Sequence, residues 1–517
     1  MRFGSTSSGQ GSVSHSPDAA AVAVPFAAIV LAMLPAVLDQ TILATALPTI
    51  ATDLGRLSDV PWVVTAYVVA AAASIPLWGK LGDRHGRKRL LEISLAMFLG
   101  ASALCGVAQD LTVLVAARTV QGAAAGGLMT LAMAAVGDLV SPRERARYQG
   151  YIAATFAVAT VVGPLLGGLL VQHASWRWVF YINLPVGLFA LVGLSRRLPA
   201  PPTEPPDRAL DIAGAVLLAG AATALLLACI WGGDRYAWDS PTILGLLASS
   251  GLLAGALVLR ERRAADPIVP FDLLRTRSVA VASVALFLTT AALFAVTVFV
   301  PLFLQTTTGA SPTEAGLLLV PMMLGITLST NFAGRSISRT GRYKRFPVAG
   351  LALMTGALVL MAVVAGDPSR TTTGIAIGVF GLGFGMVSQV LIVAVQNSVD
   401  RRRLGVAMAT TSFFRALGGA VGAAVLGAVF AARAGVHGVS GGPRTLGPGA
   451  RADVIDAVQT VFIVAAPIAA IALVVVLLLE EVPLRGAGGA AGAERDAEAP
   501  HEQSSATETG AAHARAG

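Results

Sequence analysis

The sequence predicts an all-α polytopic membrane protein: two six-helix bundles with two further helices inserted between them. Scarcity of charge, the length of the apolar runs and an internal repeat carry that prediction. Of 517 residues, 55% are hydrophobic and 13% charged, and the mean hydropathy is +0.73, whereas soluble domains carry about 25% charged residues. This excludes a soluble multidomain enzyme, and also a disordered or collagen-like chain in spite of 56 Gly and 27 Pro. Apolar runs of about 20 residues match the roughly 30 Å of hydrocarbon that a helix must cross. The ten-residue alternation of a membrane β-barrel is absent, and hydrocarbon offers backbone amides no partner outside a helix.

Taken in order, the spans lie near 23–46, 61–79, 90–108, 111–134, 149–171, 178–195, 211–231 and 242–259. The remaining six lie near 279–300, 313–334, 346–365, 371–396, 405–432 and 457–479, fourteen in all. Loops after even-numbered spans hold 24 Lys and Arg, those after odd-numbered spans seven, so the positive-inside rule places both termini in the cytoplasm. The net charge of +8 is thereby spent on topology, and a nucleic-acid surface is not expected. Residues 1–22 read as a disordered N-terminal tail without the pattern of a signal peptide. The first bundle covers 23–196, a Pro-rich linker with spans 7 and 8 covers 197–277, and the second bundle covers 278–482. Residues 483–517, rich in Ala, Gly and Glu, read as a disordered tail.

The repeat relates the bundles. At a constant offset of 255, Gly79, Arg84, Gly86 and Arg87 recur as Gly334, Arg339, Gly341 and Arg342, and Gly150, Gly163 and Gly167 recur as Gly405, Gly418 and Gly422. Parallel repeats of this kind build transporters whose substrate site lies between the halves near the bilayer midplane. Spans 7 and 8 have no counterpart in the repeat.

Asp39 is the only acid deep within a span, and an intramembrane carboxylate is a functional candidate by default. Arg118, about seven residues from the outer end of span 4, lies roughly 10 Å below the outer boundary, as does Asp39 in span 1, so the two can meet. Burial disfavours a charged carboxylate and a guanidinium favours it, so a motion that parts the pair would switch its protonation; the alternative is a static structural pair. Between spans 2 and 3, Gly79 and Gly86 allow a tight turn, and Asp83 can cap the next helix or accept from an arginine across the bundles. Arg415, mid-span, is a second deep cation with no deep acid left to pair with it. Gly381-Leu-Gly383-Phe-Gly385 imitates a dinucleotide loop, but no strand precedes it. No ATPase motif, metal cluster or catalytic triad is legible, and Cys105 and Cys229 do not make a disulfide framework.

Leu38-Asp39-Gln40-Thr41-Ile42, Ala46-Leu47-Pro48, Trp62-Val-Val-Thr65-Ala-Tyr67, Trp176-Arg177-Trp178 and Asn183-Leu184-Pro185 together resemble the major facilitator superfamily. Pro301 to Gln305, Gly309 to Pro312 and Val395-Gln396-Asn397 continue the resemblance to its 14-helix drug:proton antiporters of the EmrB and QacA type. It implies a cytoplasmic gate of Gly79, Asp83, Arg84, Gly86 and Arg87, and proton coupling through Asp39 and the span-4 motif Arg118-Thr-Val-Gln121-Gly122. It also implies an exporter motif, Gly163-Pro164-Leu-Leu-Gly167-Gly168, that bends span 5 against the other bundle. The family usually has Gly where this chain has Ala124 and Ala159. Gln121, Gln305, Gln396, Asn397 and Arg415 are cavity-lining candidates.

The resulting expectation is not an enzyme but a proton-driven exporter of amphipathic drugs or an antibiotic-like metabolite. It needs no cofactor and works as a monomer in the lipid bilayer. Abundant Ala, with 34 Arg against three Lys, points to a high-GC bacterium and hence to its cytoplasmic membrane. Proton-coupled import of a nutrient, or a non-transporting receptor or scaffold, remain the alternatives at this point.

Overall fold

The computed structural model describes residues 19–54, 61–199, 210–233, 235–264, 266–268, 271–308, 319–364, 370–434 and 448–482. The first bundle comprises α1 (Ala19–Leu54), α2 (Pro61–His85), α3 (Arg87–Gly106), α4 (Leu111–Leu139), α5 (Pro142–His173) and a broken last span, α6 (Trp178–Tyr181) and α7 (Asn183–Arg197). The inserted helices are α8 (Ile212–Trp231) and α9 (Pro241–Glu261), followed by the short α10 (Phe271–Arg275). The second bundle begins with α11 (Arg277–Phe294), which continues through a π turn, Ala295–Phe299, into α12 (Val300–Thr308). It is completed by α13 (Val320–Thr340), α14 (Arg345–Val364), α15 (Arg370–Ser398), α16 (Leu404–Ala434) and α17 (Pro448–Leu477).

Among the described residues, 13 helical segments are long and apolar enough to cross a membrane. The remaining span is α13, whose 21 residues include Asn331, Arg335 and several Ser and Thr and are less apolar than the others. It runs past the expected 313–334 to Thr340, because Arg335 and Arg339 reach water from a helix end while their stems stay in lipid. Residues 309–318, with the Gly309 to Pro312 motif, lie outside the described residues.

Termini are closed by local chemistry. Asp110 caps α4 by accepting from the amide of Val113, Asp211 caps α8 through Gly214, and Ser240 caps α9 through Ile243. At the end away from the Lys/Arg-rich turns, Asp53 accepts from Trp176 Nε1 at 2.8 Å and from Arg177 at 3.1 Å. These two bonds, Trp176's first, hold its carboxyl below the usual range.

Packing rests on close approach, since apolar side chains gain nothing by leaving lipid for one another. A Cβ on Gly122 would lie 2.2 Å from the Tyr67 carbonyl oxygen, and one on Gly381 2.3 Å from that of Met322. The α2–α4 and α13–α15 crossings are thus backbone-on-backbone, and Gly381 serves packing, not a nucleotide. Ala124 and Ala159 are fully buried, so both positions have room for a methyl. The bundles meet along two seams, α2 with α16 and α5 with α13. The inserted α8 lies over the first, where Leu226 packs with Val69 and Ala72 of α2 and with Ala416, Leu417 and Ala420 of α16.

Gly122→Ala is expected to lower the unfolding temperature of the detergent-solubilised protein, because overpacking this crossing costs about 1–3 kcal/mol. Gly100→Ala, with nothing within 4 Å of the added methyl, should leave it unchanged. Equal unfolding temperatures in a thermal-shift assay would show that the crossing yields.

Candidate functional site

Asp39 and Arg118 meet inside the first bundle. Asp39 is 0% exposed and Arg118 1%. One carboxylate oxygen of Asp39 accepts from Arg118 at 2.5 Å; the other accepts from Gln121 Nε2 at 3.0 Å and Asn183 Nδ2 at 3.3 Å. Gln121 Oε1 accepts from Arg118 at 2.8 Å, and Ser102 Oγ accepts from both Gln121 and Asn183 while donating to the Phe180 carbonyl. Arg118 also donates from Nε to the Val63 carbonyl and lies over the Tyr67 ring, 4.1 Å from its centroid. Six helices, α1, α2, α3, α4, α6 and α7, therefore converge on one ion pair. A buried pair is tolerable only when its remaining lone pairs and protons are satisfied, and here most of them are. Gln121 belongs to this enclosed network, a correction to its place among the cavity candidates: i, i+3 spacing stacks it on Arg118. Asn183 and Ser102 are members the sequence reading missed. Asn183 lay within a quoted motif, but Ser102 in an apolar run carries no signal of its own.

The second cluster closes the end bearing the Lys/Arg-rich turns, the basic end. Here α2 continues as helix to His85, and Gly86 alone makes the turn, at φ 87°. Gly79 is thus helical and not a turn residue; it is needed because a Cβ would lie 2.4 Å from Ala409 Cβ and 2.6 Å from the Gly405 oxygen. One turn on, Asp83 reaches the other bundle by a route different from the expected arginine. It accepts from the Gly405 amide at 2.8 Å and the Val406 amide at 2.9 Å, the free N–H groups that open α16. Arg87 of its own bundle holds the same carboxylate at 2.7 Å, pairs with Asp138 and donates to the Arg401 carbonyl.

Arg84 points instead to Asp266, 2.6 Å away in the segment after α9, and Lys80 joins the same carboxylate. Asp272 of α10 pairs with Arg403 of the second bundle, which holds the Asp272 carboxyl below its usual range. The connection from the inserted helices is thereby tied to both bundles. Asp138, Asp266 and Asp272 were invisible as gate members, since each is an ordinary surface acid until the fold brings a cation to it.

The other seam breaks the symmetry of the repeat. The counterparts of Gly405 and Val406 are Gly150 and Tyr151, but α5 starts at Pro142, so their amides are already used within the helix. Gly334 packs on Ala146 and Arg147, while Asn331 donates to the Gly150 carbonyl at 3.5 Å. Buried Arg145 closes this side, donating to the Gln396 carbonyl at 2.7 Å and the Gly137 carbonyl at 2.5 Å. Gln396 in turn donates to the Met133 carbonyl across the bundles, and Asn397 donates to the Val482 carbonyl. Both were expected at a cavity; they lie instead in the basic-end seal, because α15 ends there.

Within α5, a Cβ on Gly163 would lie 2.0 Å from Thr41 Oγ1, and one on Gly167 2.2 Å from Thr45 Oγ1. This motif therefore seats α5 on α1 of its own bundle and not against the other, since the i, i+4 spacing of the two glycines gives them one face. Pro164 is exposed, and Gly168 has nothing within 4 Å. Gly418 and Gly422 seat α16 on Phe287 and Ala291 of α11 in the same manner. Arg415 is half-buried on α16 and has no ion pair or hydrogen bond among the described residues. It remains a cavity candidate; the Gln305 side chain lies outside the described residues.

Asp83→Asn keeps the shape of the side chain but removes its charge from the opening amides of α16, costing about 1–3 kcal/mol of seam energy. Spin labels placed across the basic end on α2 and α16 are expected to gain a longer-distance population at normal expression. An unchanged distance distribution would assign the seal to Arg145 and the close glycine contacts alone.

The description Major Facilitator Superfamily matches residues 29–423. An uncharacterized MFS-type transporter of Mycobacterium tuberculosis is 38% identical over 478 residues, covering 89% of this chain and 69% of its own length. The multidrug transporter protein MdtP of Bacillus subtilis is 37% identical over 407 residues, 79% of this chain and 75% of its own. Among solved structures, the human organic anion transporter MFSD10 shares the fold at a TM-score of 0.62 and 18% identity, over 88% of this chain and 99% of that one. By the extent of the family match and the identity to these relatives, this multi-pass membrane chain belongs to the Major Facilitator Superfamily.

Proposed function

We propose that the chain is a proton-coupled exporter of amphipathic organic compounds, acting as a monomer in a bacterial cytoplasmic membrane with its basic end inside. The observation that carries this reading is the enclosure of Asp39 on α1, the helix on which α5 is seated. The name of the Bacillus relative, a multidrug transporter, supports drugs as the cargo. The basic end is sealed in this structure, so the conformation corresponds to the one that releases substrate outward and takes up a proton.

In this mechanism a proton arriving at Asp39 neutralises the carboxylate and frees Arg118 from its charged partner. Helix α1 then shifts against α4, and the close contacts at Gly163 and Gly167 carry α5 with it. Because α5 also bears Gly150 and Arg145, its motion loosens the contacts to Asn331 and Gln396. The Asp83 cap on α16 parts last, opening the basic end to the cytoplasm or inner leaflet. Substrate occupies the space between the bundles, where Arg415 has no ion pair among the described residues, and release of the proton inward restores the Asp39–Arg118 pair. Asp39 is enclosed within the first bundle, apart from the space that substrate occupies, so substrate and proton compete through helix positions and not through one shared contact.

In inverted vesicles with an imposed pH gradient, the wild type is expected to concentrate a cationic dye such as ethidium. Asp39→Asn should abolish uphill accumulation while leaving dye binding within severalfold of wild type, because an amide cannot release a proton. Arg118→Lys, which keeps the charge but loses the planar fork, should fall between the two. Gradient-driven accumulation by Asp39→Asn at the wild-type rate would make Asp39 structural, and gradient-driven movement out of the inverted vesicles would reverse the direction assigned here.

A further inference from the structure

A groove runs along the outer face of α13 beside the α5 seam. Its volume is about 460 Å³, and it is lined by Leu328, Asn331, Phe332, Arg335, Ser336 and Arg339. At 1.5 Å per residue it extends about 17 Å along the helix. Its two ends differ in chemistry. Leu328 and Phe332 are 64% and 63% exposed, and Leu324 above them is 57% exposed; on a membrane-spanning helix such a face meets acyl chains. Arg335 and Arg339, exposed and spaced i, i+4, lie in the last two turns, at headgroup depth, with Ser336 between them.

Neither arginine has an ion pair among the described residues. The acids at this end are engaged elsewhere: Glu144 accepts from Ser141, Glu480 pairs with Arg277, and Glu481 accepts from the amides of Tyr343 and Lys344. The backbone of Arg147 on α5 packs against Gly334 in the same stretch, while its guanidinium donates to the Tyr151 hydroxyl. Two planar forks a helical turn apart suit the several oxygens of a phosphate diester, and basic pockets on the cytoplasmic side of membrane helices recognise acidic headgroups.

We propose that this groove binds an anionic phospholipid of the inner leaflet. The headgroup phosphate is held by Arg335, Arg339 and the Ser336 hydroxyl, and one acyl chain lies along Phe332 and Leu328. The assignment depends on charge and depth matching along a single helix face, and is independent of which compound the protein exports or what drives it.

The test uses the full-length protein purified in detergent, with phosphatidylglycerol retention read by native mass spectrometry. Arg335→Gln/Arg339→Gln is expected to lower retained phosphatidylglycerol at least fivefold and to leave phosphatidylcholine unchanged. Arg335→Lys/Arg339→Lys should retain more than half of the wild-type amount, which separates loss of charge from loss of fold. Arg262→Gln/Arg263→Gln, which removes two exposed cations outside the groove, should change nothing. Equal loss in the two glutamine variants would reduce the effect to general surface charge and overturn the site. So would unchanged retention in Arg335→Gln/Arg339→Gln. Displacement of phosphatidylglycerol by millimolar inorganic phosphate alone would show a free-phosphate site and overturn the lipid assignment.

Discussion

In hydrocarbon, helices gain no hydrophobic energy by touching each other, so the tightest crossings in this molecule depend on close backbone approach and its preferred arrangement on buried polar pairs. Glycine makes the first possible. Gly79 against Gly405, Gly122 against Tyr67, Gly163 against Thr41 and Gly381 against Met322 are points where the facing helix leaves no room for a Cβ. Each fixes a crossing. Polar pairs supply what glycine cannot, namely a preference for one arrangement over another.

The two polar clusters do this in different ways. The Asp39 network is closed to water and joins helices of one bundle. The Asp83 network joins both bundles through the free amides that begin α16, so its energy depends on whether the basic end is shut. Helix α5 lies between them, seated on α1 by Gly163 and Gly167 and joined to the second bundle through Gly150 and Arg145.

The inserted helices take part in the seal. Helix α8 covers the α2–α16 seam with apolar surface, and the connection after α9 places Asp266 against Lys80 and Arg84 while Asp272 meets Arg403. One seam is thereby screened from lipid, while α13 at the other presents its outer face to it. The repeat makes the two seams equivalent in outline; the inserted pair and the different starting points of α5 and α16 make them unequal in chemistry.

The amino-acid sequence determined the spans, their number, the repeat and the pairing of Asp39 with Arg118, because hydropathy, charge placement and depth along a helix are one-dimensional properties. It also marked Gly163, Gly167, Asp83 and Arg87 by type and spacing. It did not determine which neighbour each would meet. Gly79 was legible as a special position but not as a helix crossing, since turn and close contact favour the same residue. Besides Arg87, the partner of Asp83 across the seam proved to be the opening amides of α16, a site that carries no side-chain signature. Asp266, Asp272 and Arg145 acquired their roles only when the folded chain brought together segments roughly 130 to 250 residues apart. Such partners are set by the mutual rotation and translation of whole helices, which no single stretch of sequence encodes.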